Sequence, residues 1–219
     1  MEFLPSHHEL LAYENELWDK EFSFVAGVDE VGRGPLAGPV VSAAVVFSRD
    51  VPIPAVNDSK QLSAKKRDAF YEAIIATPGV QYTISELTCK QVDTMNILEA
   101  ARETMRLAVL KLKQVDYALI DGLPVPNFPI TNQSIVKGDA KSASIAAASI
   151  IAKVYRDKLM KAYGKQYPEY GFENNMGYGT KQHLAALKKH GITPIHRHSF
   201  AAVRHIINPP MEHPDLFQF

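Results

Sequence analysis

The sequence predicts an α/β fold in which a mixed sheet is flanked by helices and followed by a small helical C-terminal segment. Apolar stretches of strand length come first along the chain and are then interleaved with stretches of helical periodicity, an order typical of mixed sheets. Turn-forming glycine and proline residues separate these stretches. We therefore expect an N-terminal extension over residues 1–21, a main α/β domain over 22–180, and a helical segment with a tail over 181–219.

The first part of the main domain contains three predicted strands and one predicted helix. Phe22–Val28 is mostly apolar and Val40–Phe47 is rich in β-branched residues, so both are expected to be buried strands. Ser63 can cap a helix that runs to about Ala76, because a Pro-Gly pair follows. Val80–Leu87 has the alternation of a third strand.

Helical patterns dominate the rest of the chain. Apolar residues between Asp93 and Lys113 recur at helical spacing and predict one helix with a buried face. The run Ser144–Ile151 is almost entirely Ala, Ile and Ser, so we expect a helix pressed closely against the sheet and continuing to about Tyr163. The remaining predicted elements are strands at Tyr117–Ile120 and near Ile135-Val136 and short helices at Gln182–His190 and Ser199–Ile207.

Composition places the chain among ordinary globular proteins. Its hydrophobic fraction is 46%, its charged fraction is 22%, and no stretch approaches the ~20 apolar residues of a membrane helix. The one cysteine, Cys89, cannot form an internal disulfide, and no secretory signal is evident near the start. A cytoplasmic monomer without membrane contact is therefore expected.

Charge is balanced overall, with 24 basic and 24 acidic residues, but it is unevenly distributed. No Asp or Glu occurs between Asn174 and Met211. The basic residues of this stretch are Lys181, Lys188, Lys189, Arg197 and Arg204. Such a lobe can contact phosphate groups, and an ordinary solvated surface is an equally good interpretation.

Four carboxylates interrupt apolar or glycine-rich sequence at predicted strand ends. Asp29 and Glu30 are the only acids of the first predicted strand pair, and Asp121 and Asp139 are the only acids from the Tyr117 strand to Arg156. Removing ionised carboxylates from water costs several kcal/mol unless they are paired or bind metal. Four of them together would repel one another unless cations lay between them.

Oxygen ligands without histidine or cysteine suit the hard ions Mg²⁺ or Mn²⁺ better than zinc. Two such ions can activate a water on one side of a phosphodiester and stabilise the leaving oxygen on the other. Taken singly, each acid also has a structural interpretation, since Asp29 and Asp121 can cap turns and Glu30 can be exposed. Spacing alone leaves open whether the four acids meet.

A series of distinctive blocks runs along the sequence, namely Gly27–Val41, Asn57–Ser63, Leu119–Gly122, Val136–Asp139 followed by Ser144–Val154, and Gly177–Thr180. Together these blocks resemble the type 2 ribonucleases H in their bacterial form. They occur in the family's order and span nearly the whole chain. Arg33 stands where type 3 relatives typically carry threonine, so the resemblance is to type 2.

The resemblance implies that the main domain is a ribonuclease H-like catalytic domain, with Asp29, Glu30, Asp121 and Asp139 as metal ligands and catalytic acids. It implies hydrolysis of the RNA strand of RNA–DNA hybrids with two Mn²⁺ or Mg²⁺ ions. It also implies nicking of duplex DNA on the 5′ side of a single ribonucleotide, leaving 3′-hydroxyl and 5′-phosphate ends. The expected role is ribonucleotide removal in DNA replication and repair.

Five substrate-binding residues follow from the same resemblance. Gly32, Arg33 and Gly34 match an element whose backbone approaches the ribose 2′-hydroxyl, an approach that glycine permits. Tyr178 matches a tyrosine that packs on the neighbouring sugar, and Lys60 matches a phosphate-contacting lysine. The structural alternatives are a tight turn for the glycines, ordinary packing for Tyr178, and a solvated charge for Lys60.

Two other classes of function are alternatives. A glycosidase also needs a pair of carboxylates, and a non-catalytic nucleic-acid-binding module would use the basic lobe but not the four acids. The alternating His196 and His198 are interpreted as surface or packing residues, because no cysteine or third histidine clusters with them in the sequence.

The tail contains Asp215-Leu216-Phe217, which resembles the short motif by which bacterial replication and repair proteins dock on the sliding clamp. The motif's usual leading glutamine is absent, and Met211 or Glu212 stands in its place. Packing of Leu216, Phe217 and Phe219 on the main domain is the favoured interpretation of the tail, and a clamp contact through Asp215, Leu216 and Phe217 is the alternative hypothesis.

Overall fold

The computed structural model describes residues 7–51 and 63–209. The strands within these ranges are β1 (Val25–Val31), β2 (Val40–Phe47), β3 (Gln81–Leu87), β4 (Tyr117–Asp121) and β5 (Asn132–Ile135). They form one sheet in the order β3-β2-β1-β4-β5. The β1–β2 and β2–β3 pairs are antiparallel, whereas β1–β4 and β4–β5 are parallel, so the predicted mixed sheet is confirmed.

Helices cover both faces of the sheet and continue beyond it. Those in the described ranges are α1 (His7–Leu10), α2 (Ala12–Asp19), α3 (Ala64–Ala76), α4 (Cys89–Met95), α5 (Ile97–Leu110), α6 (Ala143–Gln166), α7 (Phe172–Asn175), α8 (Lys181–His190) and α9 (Ala201–Ile207). The predicted cap of α3 is confirmed, because the Ser63 hydroxyl accepts a hydrogen bond from the Lys66 backbone. No helix in these ranges combines the length and the apolar character that a membrane crossing requires.

Strand β2 lies at the centre of two cores. All eight of its residues are buried. Val41 and Val45 pack with the small residues of α6, whereas Ala44 and Val46 pack with one face of α5. Side chains alternate between the two faces of a strand, so a sheet with helices on both sides needs the continuous apolar run seen here.

The close approach of α6 to the sheet depends on Gly27 in β1. A Cβ atom at this position would lie 2.0 Å from the carbonyl carbon of Ser144, so only glycine fits under the first turn of α6. The residues that follow in α6, Ala146, Ala147 and Ala148, are also small and are fully buried. The predicted close contact between the small residues of α6 and the sheet is therefore confirmed. The start of α6 lies against Gly27, which is two positions before Asp29 in β1.

The prediction of a single helix from Asp93 is wrong at its N-terminal end, because the helix is interrupted at Asn96. Asn96 has φ of 69°, and its side-chain oxygen accepts hydrogen bonds from Leu98 and Glu99, which starts α5 anew. Leu98 is 45% exposed, although its spacing predicted burial. A local side-chain cap therefore overrides the apolar periodicity at this point.

The N-terminal helices pack against the main core. Leu10, Leu17 and Trp18 belong to the same buried cluster as the α6 side of the sheet. Glu14 is fully buried, and its Oε1 accepts hydrogen bonds from the Ser142 and Ser144 hydroxyls and from the Ser144 backbone. Glu14 therefore caps the first turn of α6.

The division of the chain into regions at residues 21 and 180 stays a prediction.

The C-terminal helices enclose a separate cluster. Phe172, Leu187 and Val203 are fully buried there together with Met160 from the second half of α6. The prediction that Arg197 adds to a basic surface is wrong, because its side chain is fully buried. Lys181, Lys188, Lys189 and Arg204 are exposed, as an accessible basic lobe requires.

Candidate active site

Parallel pairing brings two of the predicted acids together. Val28 of β1 is opposite Ile120 of β4, so Asp29 and Asp121 follow at the same level and point to the same face. This is the α6 face, because Val25 and Leu119, which share their alternation, pack against α6. Asp29 is 5% exposed, and Asp121 is partly buried.

Glu30 is the third member of the cluster. One carboxylate oxygen from each of Asp29, Glu30 and Asp121 lies within 4.8 Å of the others. The Glu30 carboxylate accepts a hydrogen bond from Arg33 at 3.2 Å, and its backbone donates to Asp29 Oδ1 at 2.7 Å. Carboxylates at this separation could hold a divalent cation between them.

The surroundings of the cluster disfavour its ionised form. Burial raises the pKa of Asp29 well above its ordinary value, and the charges of Glu30 and Asp121 raise it further. Burial also raises the pKa of Glu30, although the neighbouring Arg33 opposes the shift. A bound cation would reverse this electrostatic penalty.

Asp139 lies beside the three-acid group rather than in it. It is 3% exposed within the short 3₁₀ helix Gly138–Ala140, and its charge contributes to the raised pKa of Asp29. The preceding Gly138 donates its backbone hydrogen to Asp121 Oδ1 at 2.6 Å. The structure therefore brings all four predicted acids to one end of the sheet, three of them at ligand-sharing distance.

A cavity of about 400 Å³ opens above Asp29, Glu30 and Asp121. Most of the site residues predicted from the sequence line this cavity. These lining residues are Asp29, Glu30, Gly32, Arg33, Gly34, Asp121 and Tyr178. The Tyr178 side chain is exposed, and a Cβ atom at Gly34 would lie 3.3 Å from its ring, so the two predicted substrate elements are neighbours.

Two fully buried arginines hold the loop between β1 and β2. Arg197 donates to the carbonyl oxygens of Gly32, Arg33 and Gly38 at 2.6–3.1 Å. Arg156 donates to the carbonyl oxygens of Ala37 and Pro39 in the same loop. Burial lowers the pKa of Arg197, and it lowers that of Arg156 to about 10.

Three polar or charged residues that line the cavity were not among the site residues predicted from the sequence. Ser149 and Lys153 lie four positions apart on α6, and Arg67 comes from α3. The Ser149 hydroxyl hydrogen-bonds Asp29, while Lys153 and Arg67 form ion pairs with Asp157 at 2.7 and 3.6 Å. The helical spacing of Ser149 and Lys153 was an available signal, but nothing local indicates that Arg67 reaches the cavity.

Two predicted elements lie outside the described residues, namely Lys60 and the tail motif Asp215-Leu216-Phe217. Of the two alternating histidines, His196 is 1% exposed and packs inside the C-terminal cluster, whereas His198 is exposed. In the described part of the chain, the residues grouped closely enough to share a metal ion are the three acids.

Comparison with solved structures defines the class of protein. The ribonuclease H2 of Pyrococcus horikoshii OT3 superposes with a TM-score of 0.68 at 30% identity, covering 84% of this chain and 96% of that one. Ribonuclease HIII in complex with Mn²⁺ superposes at 0.66 with 20% identity, over 84% of this chain and 69% of that one, and supports the fold alone. The fold is therefore the predicted ribonuclease H-like fold.

Sequence comparison identifies the family. The family model described as Ribonuclease HII matches residues 26–203. Ribonuclease HII of Caldanaerobacter subterraneus is 47% identical over 88% of this chain and 80% of its own length, and that of Bacillus pumilus is 51% identical over 92% and 79%. The chain belongs to the ribonuclease HII family and is an endoribonuclease, which argues against the glycosidase and the non-catalytic binding module.

Proposed function

We propose that this ribonuclease H endonuclease, which acts on RNA–DNA substrates, also nicks duplex DNA on the 5′ side of a single embedded ribonucleotide, leaving 3′-hydroxyl and 5′-phosphate ends. The observation that carries the proposal is the shared cavity, in which buried acids lie next to the Gly32-Arg33-Gly34 loop and Tyr178. Such a site combines a place for the scissile phosphate with elements that can examine one sugar. We also propose that the protein acts as a cytoplasmic monomer in DNA replication and repair.

The four acids fit divalent metal ions. Asp29, Glu30 and Asp121 offer oxygen ligands within 4.8 Å, and Asp139 is buried beside them. We assign all four as metal ligands and catalytic acids for Mn²⁺ or Mg²⁺, an assignment supported by the oxygen-only character of the three-acid group. Two bound ions would supply activation of the attacking water and stabilisation of the leaving oxygen.

The protein's own contribution at the acids is orientation. The Ser149 hydroxyl and the Glu30 backbone hydrogen-bond Asp29, and the Gly138 backbone holds Asp121. These contacts limit rotation of the two carboxylates that share a face of the sheet. Preorganised ligands avoid the entropy of ordering during the reaction.

Recognition of the ribose is assigned to the loop that Arg197 holds. In a planar trans peptide the carbonyl and the following N–H point in opposite directions. Because the Gly32 and Arg33 carbonyls point to Arg197, the N–H groups of Arg33 and Gly34 point away from it, and both residues line the cavity. Backbone donors placed there could bind a 2′-hydroxyl, which a deoxyribose lacks.

Tyr178 and Lys60 complete the proposed substrate contacts. The exposed Tyr178 ring lies against Gly34, where it could pack on the sugar that follows the ribonucleotide. Lys60 is proposed as a phosphate contact on its resemblance alone, because it lies outside the described residues.

The proposal is tested with a labelled duplex that carries one ribonucleotide, incubated with Mn²⁺ or Mg²⁺. We expect a nick immediately 5′ to the ribonucleotide, none in an all-DNA duplex of the same sequence, and none in EDTA. Cleavage of a continuous RNA–DNA hybrid without any cut in the single-ribonucleotide duplex would refute the finer specificity, although not the family activity.

We propose in addition that the tail docks on the sliding clamp through Asp215, Leu216 and Phe217. A ribonuclease HII from Archaeoglobus fulgidus has been solved in complex with PCNA, a sliding clamp, which supports a clamp contact in this family. An enzyme that searches for rare ribonucleotides would gain effective concentration from such a tether.

Deletion of Glu212–Phe219 tests the clamp proposal. Clamp binding, measured by titration calorimetry with the clamp of the same organism, should be lost, while Tm and nicking of short duplexes should stay close to those of the intact chain. A large loss of Tm would support packing of the tail on the main domain, and no binding by the intact chain would refute the contact.

A further inference from the structure

Two buried histidines connect the C-terminal lobe to Tyr178. His183, in the first turn of α8, is fully buried, and His196 is 1% exposed. Their Nε2 atoms lie 2.9 Å apart. His183 Nδ1 lies 2.9 Å from the backbone carbonyl oxygen of Tyr178, and His196 Nδ1 lies 2.9 Å from the backbone nitrogen of Thr193.

These contacts fix where the protons are. The Thr193 N–H can only donate, so His196 Nδ1 accepts and the proton of this ring is on Nε2. His196 Nε2 therefore donates to His183 Nε2, which leaves the proton of His183 on Nδ1. That nitrogen donates to the Tyr178 carbonyl, so a directed chain of hydrogen bonds runs from Thr193 to Tyr178.

The chain requires both rings to be neutral, because a second proton on either ring would place two N–H groups against each other. Burial lowers the pKa of His183, and it lowers that of His196 to about 4 with a further contribution from His183. Aromatic rings surround the pair, since the centroid of His183 is 5.2 Å from Phe172 and that of His196 is 5.2 Å from Tyr170. Both histidines are thus neutral at pH 7.

The far end of the hydrogen-bond chain is a loop that other hydrogen bonds also hold, since the Tyr178 N–H donates to the Asn175 carbonyl and the Gly177 N–H to Asn175 Oδ1. The Tyr178 carbonyl also accepts from Thr180, and the adjacent Gly177 carbonyl accepts from Leu36, which joins this loop to the loop between β1 and β2. The Tyr178 ring itself is 47% exposed beside Gly34. Packing on the ring is therefore limited, and its position depends on how the backbone is held.

We propose that His183, oriented by His196, is a positioning residue that holds the Tyr178 backbone so that the ring stays beside Gly34 at the substrate cavity. The inference rests on the proposed role of Tyr178 in contacting the sugar. His183 does not line the cavity and acts only through Tyr178.

Substitution of His183 tests the inference through the split between KM and kcat. His183→Leu keeps a side chain of similar size but removes the donor, so we expect kcat/KM for the single-ribonucleotide duplex to fall on the order of tenfold, mainly through a higher KM. His183→Asn should regain most of this loss, because its amide nitrogen occupies the place of Nδ1 and can donate to Tyr178. His205→Leu, on the exposed face of α9, is the matched control and should leave both constants unchanged.

A double-mutant cycle with Tyr178→Ala identifies the route of the effect. If His183 acts through the tyrosine, His183→Leu should change kcat/KM less than about twofold once the ring is absent. An equal loss with and without the ring, or a loss of kcat at unchanged KM that follows a loss of folded protein, would overturn the inference.

The tautomers provide a readout that is independent of nicking. In ¹⁵N-histidine NMR spectra at pH 7, we expect His183 protonated on Nδ1 alone and His196 on Nε2 alone. A charged ring or the opposite tautomers would overturn the inference even if the enzyme is fully active. Absence of nicking by the wild-type protein would instead refute the proposed function, while the spectra would still test the hydrogen-bond chain.

Discussion

Two groups of buried charge contribute to the candidate site, the acids that line the cavity and the arginines that hold its loop, and they differ in how their charge is compensated. The acids at the ends of β1 and β4 are close enough to repel one another, and burial raises the pKa values of Asp29 and Glu30. The cations Arg156 and Arg197 are more deeply buried, but each donates to three backbone carbonyls. Carbonyl dipoles thus solvate the arginines from within the chain.

The comparison indicates what each group does. Buried charges are tolerated when hydrogen bonds replace water, and this condition is met inside the protein for the arginines. The acid cluster faces an open cavity and is left with a net repulsion, which a cation from outside would remove. The loop between β1 and β2 is therefore held by hydrogen bonds within the protein. The acid cluster beside it needs a bound cation to offset its repulsion.

The largest expected effect comes from removing a charge from the acid group. Asp29→Asn keeps an oxygen that can accept from the Glu30 backbone but removes ligand charge, so we expect cleavage to fall roughly a hundredfold or more, as for loss of a charge-stabilising group. Single-turnover cleavage of an RNA–DNA hybrid in Mn²⁺ measures this. Asp68→Asn on the exposed surface of α3 is the control, and near-wild-type cleavage by Asp29→Asn would remove this residue from the site.

Arg197→Met tests whether the buried arginines stabilise the loop between β1 and β2. The substitution leaves the buried carbonyls of Gly32 and Gly38 and the partly buried carbonyl of Arg33 without their donor. We therefore expect a loss of about 3–5 kcal/mol, or on the order of 10 °C in Tm. Calorimetry with and without Mn²⁺ should give the same loss, because the arginine is satisfied by the protein alone. Arg204→Met, at an exposed position, should change Tm little, and an equally mild effect at Arg197 would contradict the idea that Arg197 holds the loop between β1 and β2.

The smallest effect sharpens the contrast, because removing one acid should stabilise the metal-free protein. The pKa of Asp29 in the folded chain is raised, so its contribution to stability is present at pH below its ordinary value of 3.8 and is lost as pH rises through the folded value. In EDTA at pH 8, Asp29→Asn should therefore melt a few degrees above wild type, since about 1 kcal/mol corresponds to ~2–4 °C.

The gap in Tm should close as pH falls toward 4, where the wild-type carboxyl is protonated, and Mn²⁺ should reverse it. Differential scanning calorimetry across this pH series gives the measurement. A variant that is less stable than wild type at pH 8 in EDTA would contradict the idea that the cluster is repulsive without a cation.

Local signals in the sequence determined the elements and the candidate residues. The bounds of β2 agree with its β-branched run, and Ser63 caps α3 where its side-chain chemistry predicts. The isolation of four acids in apolar sequence identified three that the structure groups at ligand-sharing distance and a fourth that is buried beside them, because desolvating a carboxylate is costly wherever the chain places it. The resemblance supplied the loop and Tyr178, both of which line the cavity.

Tertiary structure decided which residues meet and which charges are buried. Asp29 and Asp121 are 92 positions apart, and only the parallel register of β1 with β4 makes them neighbours. Arg197 resembled its basic neighbours in sequence, yet it is buried because the loop between β1 and β2 offers it carbonyl acceptors. The His183–His196 contact has the same origin, since pairing across the fold leaves no periodic trace along the chain, whereas caps, strands and turns depend on residues close in sequence.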